Sequence, residues 1–172
     1  MITLPLETVR LRIRPFEPAS DAPALHELWG DAEAMRFVPG AAQESVDGTR
    51  ARIQSALDRA PAGWGFWALE EREGRVVGGV GLFPEAWEGP EFELAYHVVP
   101  SAWGRGYATE AAAALLDAAW HETDLERVLA FAFEDNRASR RVMEKLGMRY
   151  ERDFPRAGLP HALYRIRASE LR

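Results

Sequence analysis

Apolar and polar residues alternate along the chain in stretches that predict both strands and helices. Residues 9–14 alternate strictly between apolar and charged side chains, a pattern typical of a half-buried strand, and Pro15 ends it. A helix is predicted from Ser20–Asp21, which are suited to cap it, to about Gly30. A second helix is predicted from Gln43 to about Arg59.

The middle of the chain is rich in strand patterns. Strands are predicted over residues 64–70, 75–83 and 91–99, and Glu73–Gly74 is suited to a hairpin turn between the first two. Residues 84–90 are predicted to form a loop. The first two strands are therefore expected to pair with each other.

Helices and strands alternate in the last third. The predicted elements are a helix over 107–121, a strand over 127–133, a helix from Asn136 to Leu146 that Gly147 ends, and strands over 148–154 and 161–167 joined by a loop over 155–160. A strand, a helix and a strand in succession form a crossover, so the strands over 91–99 and 127–133 are expected to be parallel. The whole order predicts one mixed α/β domain over residues 1–172.

The composition narrows the classes of function. The 172 residues carry a net charge of −6, which disfavours nucleic acid as the main partner. No apolar run is long enough to cross a bilayer and no signal pattern opens the chain, so a cytoplasmic protein that does not bind membranes is expected. The absence of cysteine excludes a cysteine nucleophile, and the four histidines lack metal-ligand spacing, so no metal is expected.

A glycine-rich turn is the clearest local signal for ligand binding. Gly104 and Gly106 follow a strand ended by Pro100, and a helix begins at Tyr107. Glycines allow a ligand to approach closely, and the first turn of a helix offers unpaired N–H groups, so the turn suits a phosphate. The dinucleotide fingerprint fails because Thr109 stands where a third glycine is needed, and the lysine of a P-loop is missing. A plain tight turn before a helix remains the alternative.

The residues around this turn resemble the GNAT acetyltransferase superfamily. The segment W-G-R-G-Y-A-T-E-A follows the strand E-L-A-Y-H-V-V-P, and its core resembles the family pattern Gln/Arg-x-x-Gly-x-Gly/Ala, with Trp103 in the first position. That tryptophan resembles the RimJ/RimL-type branch, the ribosomal-protein N-terminal acetyltransferases and their relatives. The segments T-V-R-L-R-I-R-P-F, R-V-V-G-G-V-G-L and E-D-N-R-A-S-R-R-V-M-E-K-L-G-M also resemble this branch, in the same order along the chain.

The resemblance implies a GNAT-like fold, in which a mixed, mostly antiparallel twisted sheet has one splayed parallel strand pair and about four flanking helices. It also implies acetyl-CoA as co-substrate, with the pantetheine arm paired with the edge of the splayed strand at His97, Val98 and Val99. The pyrophosphate is expected on backbone N–H groups of the turn, with added help from the charge of Arg105. The implied cofactor-binding residues there are Trp103, Gly104, Arg105, Gly106, Tyr107, Ala108 and Thr109.

Asn136 opens the next helix, and the resemblance implies that it hydrogen-bonds the pantetheine arm, with a simple N-cap as the alternative. Ser139 and Arg140 lie three and four residues further on, so they are expected on the same helix face as additional contacts. The tyrosine acid of many family members is replaced here by Met143. Ser139, Tyr164 or a water molecule is therefore the candidate proton donor to the leaving thiolate, and departure of the thiolate with electrostatic stabilisation alone is the alternative.

The implied reaction is transfer of the acetyl group from acetyl-CoA to a primary amine by direct attack in a ternary complex. Glu93 is the first candidate for the general base, acting through a water, and His97 is its rival because strand alternation puts both on one face. A strand-end N–H group of Val98 or Val99 is a candidate donor to the developing oxyanion.

The expected partner is an amine substrate, either a protein N-terminus or a small molecule. A non-catalytic acyl-CoA-binding module is the alternative function, and a homodimer is compatible with the sequence. The acceptor pocket is expected between the two early helices and the 155–160 loop. The aromatic residues considered for its lining, none of which is assigned to it, are Trp29, Phe37, Trp64, Trp67 and Trp87.

Overall fold

The computed structural model describes residues 1–38, 40, 42–60, 63–85, 91–156 and 158–170. The helices are α1 (Pro18–Trp29), α2 (Val46–Arg59), α3 (Tyr107–Glu122) and α4 (Arg137–Lys145), with short 3-10 turns at Ala34–Phe37, Pro100–Ala102 and Ala168–Glu170. The strands are β1 (Leu6–Glu7), β2 (Leu11–Arg14), β3 (Gly65–Glu71), β4 (Val76–Glu85), β5 (Glu91–Val98), β6 (Arg127–Phe133), β7 (Arg149–Arg156) and β8 (Leu159–Arg167). These strands form one sheet in the order β1-β2-β3-β4-β5-β6-β8-β7.

This architecture confirms the predicted mixed α/β fold, and the predicted helices and strands are present with shifted ends. Helix α1 begins at Pro18 because proline suits the first helical turn, where its missing N–H is not needed. Asp21 is therefore not the cap: its buried carboxylate accepts the N–H of Glu17 at 2.8 Å. Helix α2 begins after Ser45, whose hydroxyl accepts the N–H of Gly48. The short strand β1 was not predicted.

Helices cover both faces of the sheet, and two neighbouring glutamates on β3 show which helix lies on which face. Successive side chains of a strand point to opposite faces. Glu70 accepts a hydrogen bond from Arg14, which also pairs with Asp21 of α1 at 2.8 Å. Glu71 accepts the hydroxyl of Tyr107 at the start of α3. We call these two sides the α1 face and the α3 face.

The parallel pair β5–β6 opens into a gap, as the family resemblance implies. The two strands pair at Phe92 with Val128 and at Glu93 with Leu129. Beyond Glu93, β5 continues to Val98 beside β4, whereas β6 continues to Phe133 beside β8. Because α3 follows the end of β5 and α4 follows the end of β6, both helix N-termini lie where the strands diverge.

The predicted loop over residues 155–160 is wrong, because the last two strands extend into it as a tight hairpin. Pro155 pairs with Pro160 and Arg156 with Leu159. Prolines are tolerated here since β7 is an edge strand and Pro160 lies just beyond the pairing of β8 with β6. Strand β4 likewise runs through Pro84 to Glu85; the rest of that predicted loop, including Trp87, lies outside the described residues.

Candidate active site

The glycine-rich turn adopts a backbone that needs its glycines. Gly104 and Gly106 have φ values of 75° and 81°, in the left-handed region, and Gly106 is the N-cap of α3. A Cβ on Gly104 would meet no atom within 4 Å, so the space beside the turn is open. The first intrahelical bond is donated by Glu110 to Gly106 O, which leaves the amides of the preceding turn for a ligand.

Ion pairs and ring contacts among side chains fix the backbone of this turn. Arg10 donates to the carbonyl of Arg105 at 2.8 Å and pairs with Glu110 at 2.6 Å. The guanidinium groups of Arg10 and Arg105 lie over the Tyr107 ring, and the Tyr107 hydroxyl donates to Glu71 at 2.5 Å. Arg105 also pairs with Glu71 at 2.6 Å. Its charge is directed away from the cavity, contrary to the expectation that it would assist a phosphate.

Backbone alternation determines which groups of β5 face the gap. The N–H of Val99 donates to Val77 O at 2.9 Å, so the backbone groups of His97 and Val99 face β4. Those of Tyr96 and Val98 consequently face the gap. The expectation for this edge was therefore wrong for His97 and Val99, missed Tyr96, and leaves the N–H of Val98 as the oxyanion-donor candidate. Trp103, at the unusual position of the motif, donates its indole N–H to Val98 O at 2.6 Å.

The N-terminus of α4 forms the opposite side of the gap. Asn136 acts as the N-cap, because its Oδ1 accepts the N–H of Ser139 at 3.1 Å. The Tyr96 hydroxyl donates to Ser139 O at 2.9 Å and lies 3.0 Å from Ser139 Oγ. Burial raises the pKa of the Tyr96 hydroxyl above its usual range, against the opposing effect of its hydrogen bond with Ser139. Two hydroxyl groups therefore stand together beside the gap, whereas Met143 is fully buried.

Arg140 does not face the cavity. Its Nε donates to the Tyr164 hydroxyl at 3.1 Å, and its Nη1 donates to Glu134 O. Spacing counted from Asn136, which caps the helix with a non-helical backbone, gives the correct side for Ser139 and the wrong side for Arg140. The α4 side chains that line the cavity are Ala138, Ser139, Arg141, Val142 and Lys145. The cations of α4 that line the cavity are thus Arg141 and Lys145, which sequence reasoning missed.

Glu93 and His97 both line the cavity from β5. Glu93 stands at the point where the parallel pairing ends, and alternation puts His97 on the same α1 face. His97 is half-buried, its ring lies 5.3 Å from that of Phe66, and its Nδ1 has no hydrogen-bond partner among the described residues. Burial, with the positive charge of Arg52, lowers the pKa of His97 to about 4. The imidazole is therefore neutral near pH 7.

Aromatic side chains line the α1-face part of the cavity. Of the residues considered from the sequence, Phe37 lines it, Trp29 and Trp67 are buried in the core, and Trp64 packs on Phe92 outside it. The aromatic lining that sequence reasoning missed comprises Phe83, Phe131, Phe133 and His161. These residues come from three strands, β4, β6 and β8, so no local sequence pattern groups them.

One cavity of about 1110 Å³ connects these parts. It extends from the turn and the N-terminus of α4 through the gap to Glu93 and the aromatic side chains. Among the described residues, no group of three or more His, Cys, Asp or Glu side chains could hold a metal ion. No described helix is long and apolar enough to cross a membrane.

Residues 10–149 match the model of the acetyltransferase (GNAT) domain family. The chain belongs to the GNAT acetyltransferase family. It is 32% identical to the uncharacterized protein YkkB of Bacillus subtilis (strain 168) over 163 residues, which cover 92% of this chain and 93% of that protein. It is 30% identical to the uncharacterized N-acetyltransferase YnaD of the same strain over 149 residues, which cover 87% and 85%.

Solved GNAT structures share the fold of this enzyme. A GNAT-family acetyltransferase from Bacillus anthracis has a TM-score of 0.84 at 28% identity, over 97% of this chain and 100% of that one. RimL, a ribosomal L7/L12 α-N-protein acetyltransferase solved with coenzyme A, has a TM-score of 0.77 at 18% identity, over 93% and 95%. The similarity to RimL shows a shared fold only. Family membership identifies the GNAT protein as an acetyl-CoA-dependent acetyltransferase.

The described site fits acetyl-CoA as the co-substrate of this GNAT enzyme. Helix N-terminal amides with open space beside Gly104 suit the pyrophosphate. Arg141 and Lys145 add positive charge to the cavity wall. The backbone groups of Tyr96 and Val98 facing the gap suit an extended chain that carries amides.

Proposed function

We propose that this enzyme transfers the acetyl group of acetyl-CoA to a primary amine, a protein N-terminal α-amine or a small-molecule amine, by direct attack while both substrates are bound. The observation that carries this proposal is the single cavity that passes through the β5–β6 gap. Phosphate-binding groups lie on the α3 face and Glu93 on the α1 face, so the two substrates can meet in the gap. No protein nucleophile is then required.

The cofactor is held mainly by backbone groups. The amides from Gly104 to Thr109 bind the pyrophosphate, while Arg141 and Lys145 attract its phosphates. The backbone of Tyr96 pairs with the pantetheine arm, and the N–H of Val98 donates to the developing oxyanion, since Val98 O already accepts the Trp103 indole. Asn136 uses Oδ1 for its cap, so its NH₂ group is the end that donates to an arm carbonyl. When bound, acetyl-CoA supplies a thioester carbonyl that an amine can attack.

Glu93 binds and deprotonates the amine. An α-amine has a pKa of about 8 and an alkyl amine one of about 10, so the acceptor arrives mostly as an ammonium ion. A carboxylate attracts this cation and takes its proton, directly or through a water. His97 suits this role less well because its pKa of about 4 makes it neutral and weakly basic. Its neutral ring remains available to accept a hydrogen bond.

The leaving sulfur takes its proton from the Tyr96–Ser139 pair. In the transfer, a bond forms between the amine nitrogen and the acetyl carbonyl carbon, and the carbon–sulfur bond breaks with its electron pair on sulfur. Two protons leave the nitrogen: Glu93 takes the first from the ammonium ion before the attack and passes it to solvent, and it takes the second as the amide forms. Ser139 donates one proton to the sulfur and is reprotonated from solvent through Tyr96, so one proton is released to solvent overall. Ser139 and Tyr96 both line the cavity and are hydrogen-bonded to each other. They replace the tyrosine that the family carries at the position of Met143, with Tyr96 positioning and recharging Ser139.

The proposal extends to the branch of the family, the domain organisation, the location and the oligomeric state. We assign the enzyme to the RimJ/RimL-type branch on the strength of Trp103 and the matching segments; RimL itself shares its fold. One acetyltransferase domain over residues 1–172, a cytoplasmic location and a homodimer complete it. None of these requires a metal, a membrane or a nucleic acid as partner.

The test combines binding with turnover. Calorimetry measures acetyl-CoA affinity, and a thiol reagent follows CoA release with peptides bearing free N-termini, arylalkylamines, polyamines and aminoglycosides. Amine-dependent CoA release with acetylated product in the mass spectrum supports the proposal. Tight binding of acetyl-CoA without amine-dependent release across the panel would instead support a non-catalytic acyl-CoA-binding module. Absence of acetyl-CoA binding would contradict both.

A further inference from the structure

We infer that the acceptor is a small primary monoamine on a flat apolar body, of the arylalkylamine class. This inference rests on the proposed function and concerns the α1-face part of the same cavity, which we call the aromatic slot. Its floor is Glu93, and its two walls stand on either side of the β5–β6 gap.

The first wall lies over strands β3 to β5. The Phe66 ring stacks near Phe83 at 6.1 Å with 17° between the planes, and it lies 5.3 Å from His97. Glycines on β4 allow this: a Cβ on Gly79 would lie 2.3 Å from the Phe66 ring, and one on Gly81 would lie 2.8 Å from it. The Phe66 ring therefore lies close against the sheet and supports Phe83 and His97, the two rings of this wall that line the cavity.

The second wall lies over strands β6 and β8. The ring of Phe133 lies 4.3 Å from that of His161 and 5.7 Å from that of Phe37. Phe131 adds a further ring 5.7 Å from His161. Residues that pair in a parallel ladder point to the same side, so Phe131 and Phe133 share the α1 face with Glu93. Both walls thus border the path to Glu93.

The charges around the slot suit one positive charge and oppose several. Among the described residues, the acids that line the cavity are Glu33 and Glu93, and Glu33 pairs with Arg36 at 3.0 Å. Arg36 lies over the Phe37 ring and Arg156 over the Phe131 ring. The Glu93 carboxylate matches one ammonium ion, and Arg156 on the second wall repels further positive charge, whereas Glu33 balances the charge of Arg36. Polyamines and aminoglycosides therefore fit poorly.

The walls also select against a peptide. Aromatic faces attract an ammonium ion and stack with a flat ring. They offer few partners for peptide N–H and C=O groups, whose burial without hydrogen bonds is costly. An arylalkylamine supplies both an ammonium group that reaches Glu93 and a flat ring that lies between the walls.

The experiment compares kcat/KM for 2-phenylethylamine, n-butylamine, spermidine and a tripeptide with a free N-terminus. We expect 2-phenylethylamine to exceed each of the others by about tenfold or more. Phe133→Leu should lower its kcat/KM about fivefold, as loss of an aromatic contact does, with acetyl-CoA affinity unchanged. Phe92→Leu is the matched control, since Phe92 is also half-buried but lies outside the cavity, and it should keep the wild-type preference.

The outcomes separate this inference from the proposed function. A higher kcat/KM for spermidine or the peptide than for 2-phenylethylamine would overturn the aromatic slot as the acceptor site while supporting acetyl transfer to amines. An equal fall in Phe133→Leu and Phe92→Leu, both folded by melting temperature, would overturn the specific role of the second wall. No transfer to any amine, despite acetyl-CoA binding, would contradict the proposed function itself.

Discussion

The two sides of the β5–β6 gap are built in different ways. On the α3 face the site consists mainly of main-chain groups, presented by two helix N-termini and by the edge of β5, with the side chains of Asn136, Ser139, Arg141 and Lys145 beside them. On the α1 face it consists of side chains, one carboxylate between two aromatic walls. Main-chain groups recognise what all reactions of the family share, whereas side chains can change without changing the fold. We therefore expect affinity for acetyl-CoA to depend on the first side and choice of acceptor on the second.

The two sides are also held differently. The turn of the α3 face is fixed by side-chain contacts among Arg10, Arg105, Tyr107 and Glu71, whereas its expected ligand-binding groups are backbone amides. The aromatic slot is held by ring contacts among the very residues that line it. Substitutions in the slot should alter acceptor choice directly, whereas those around the turn should act through its backbone.

The largest effect should come from the floor of the slot. Glu93→Gln keeps the size of the side chain but removes its charge and basicity, so kcat should fall about 100-fold or more. Acetyl-CoA affinity, measured by calorimetry, should stay at the wild-type value because Glu93 lies on the other face. Glu33→Gln is the matched control, a glutamate that lines the cavity near its mouth, and should change kcat less than about twofold. Equal turnover in Glu93→Gln and wild type would remove Glu93 from the mechanism.

Substitutions in the glycine-rich turn on the α3 face should change the affinity for acetyl-CoA. Gly104→Ala places a Cβ in the open space beside the turn and strains a left-handed backbone. We expect the Kd of acetyl-CoA to rise about tenfold or more, as for the loss of one or two charge-assisted hydrogen bonds. Gly74 makes a close control, since its φ is +89° and its Cβ would also meet nothing within 4 Å, but it lies in the β3–β4 turn away from the cavity.

Gly74→Ala should lose a similar amount of stability, about 1 kcal/mol from the positive φ, and keep the wild-type Kd. Calorimetry and denaturant melts of the two variants separate strain from ligand contact. If both variants bind acetyl-CoA as wild type does, the backbone of the turn does not hold the cofactor.

The main-chain side was the part that sequence could predict. Glycines before a helix, a crossover between strands and an asparagine cap each follow from local rules, and the structure confirms the elements that they predict. Local rules also explain the errors there. Strand alternation, applied from the bond between Val99 and Val77, turns His97 and Val99 away from the gap. Which residues of β5 direct their backbone groups toward the gap is decided by the pairing with β4. The sequence of β5 alone does not contain this information.

The side-chain side could not be assembled from sequence. Phe37, Phe83, Phe133 and His161 come from four elements, and their meeting depends on sheet order, which no local pattern encodes. Arg105 shows the same limit at shorter range. Its position in the motif suggests a phosphate contact, but the structure pairs its side chain with Glu71, a residue from β3.

The hydroxyl pair at the gap should have a smaller effect than Glu93. Tyr96→Phe and Ser139→Ala should each lower kcat about five- to tenfold, because removal of either hydroxyl interrupts the same proton path. The double variant should be little worse than the weaker single variant, since groups that act as a unit are not additive. Tyr150→Phe, at a half-exposed tyrosine outside the cavity, is the control. Fully additive losses, or losses only in acetyl-CoA affinity, would contradict a shared proton path.

The smallest catalytic effect should come from His97, which shares its face with Glu93. His97→Gln should change kcat less than about threefold, because a neutral imidazole of low pKa is not the base. The effect of His97 should instead be seen in how the free energy of unfolding depends on pH. The pKa of His97 falls from 6.5 to about 4 on folding, so between these values the unfolded chain binds a proton that the folded chain does not.

The free energy of unfolding should therefore show no loss from His97 above pH 6.5. As the pH falls from 6.5 toward 4, protonation of His97 in the unfolded chain should lower it by at most about 1.4 kcal/mol per pH unit. Urea melts of wild type and His97→Gln at several pH values isolate this slope, because the other groups contribute equally to both proteins. A difference between the two proteins that does not vary with pH would show that His97 titrates alike in both states. A large loss of kcat in His97→Gln, with full activity in Glu93→Gln, would show that His97 is the general base and that Glu93 is not.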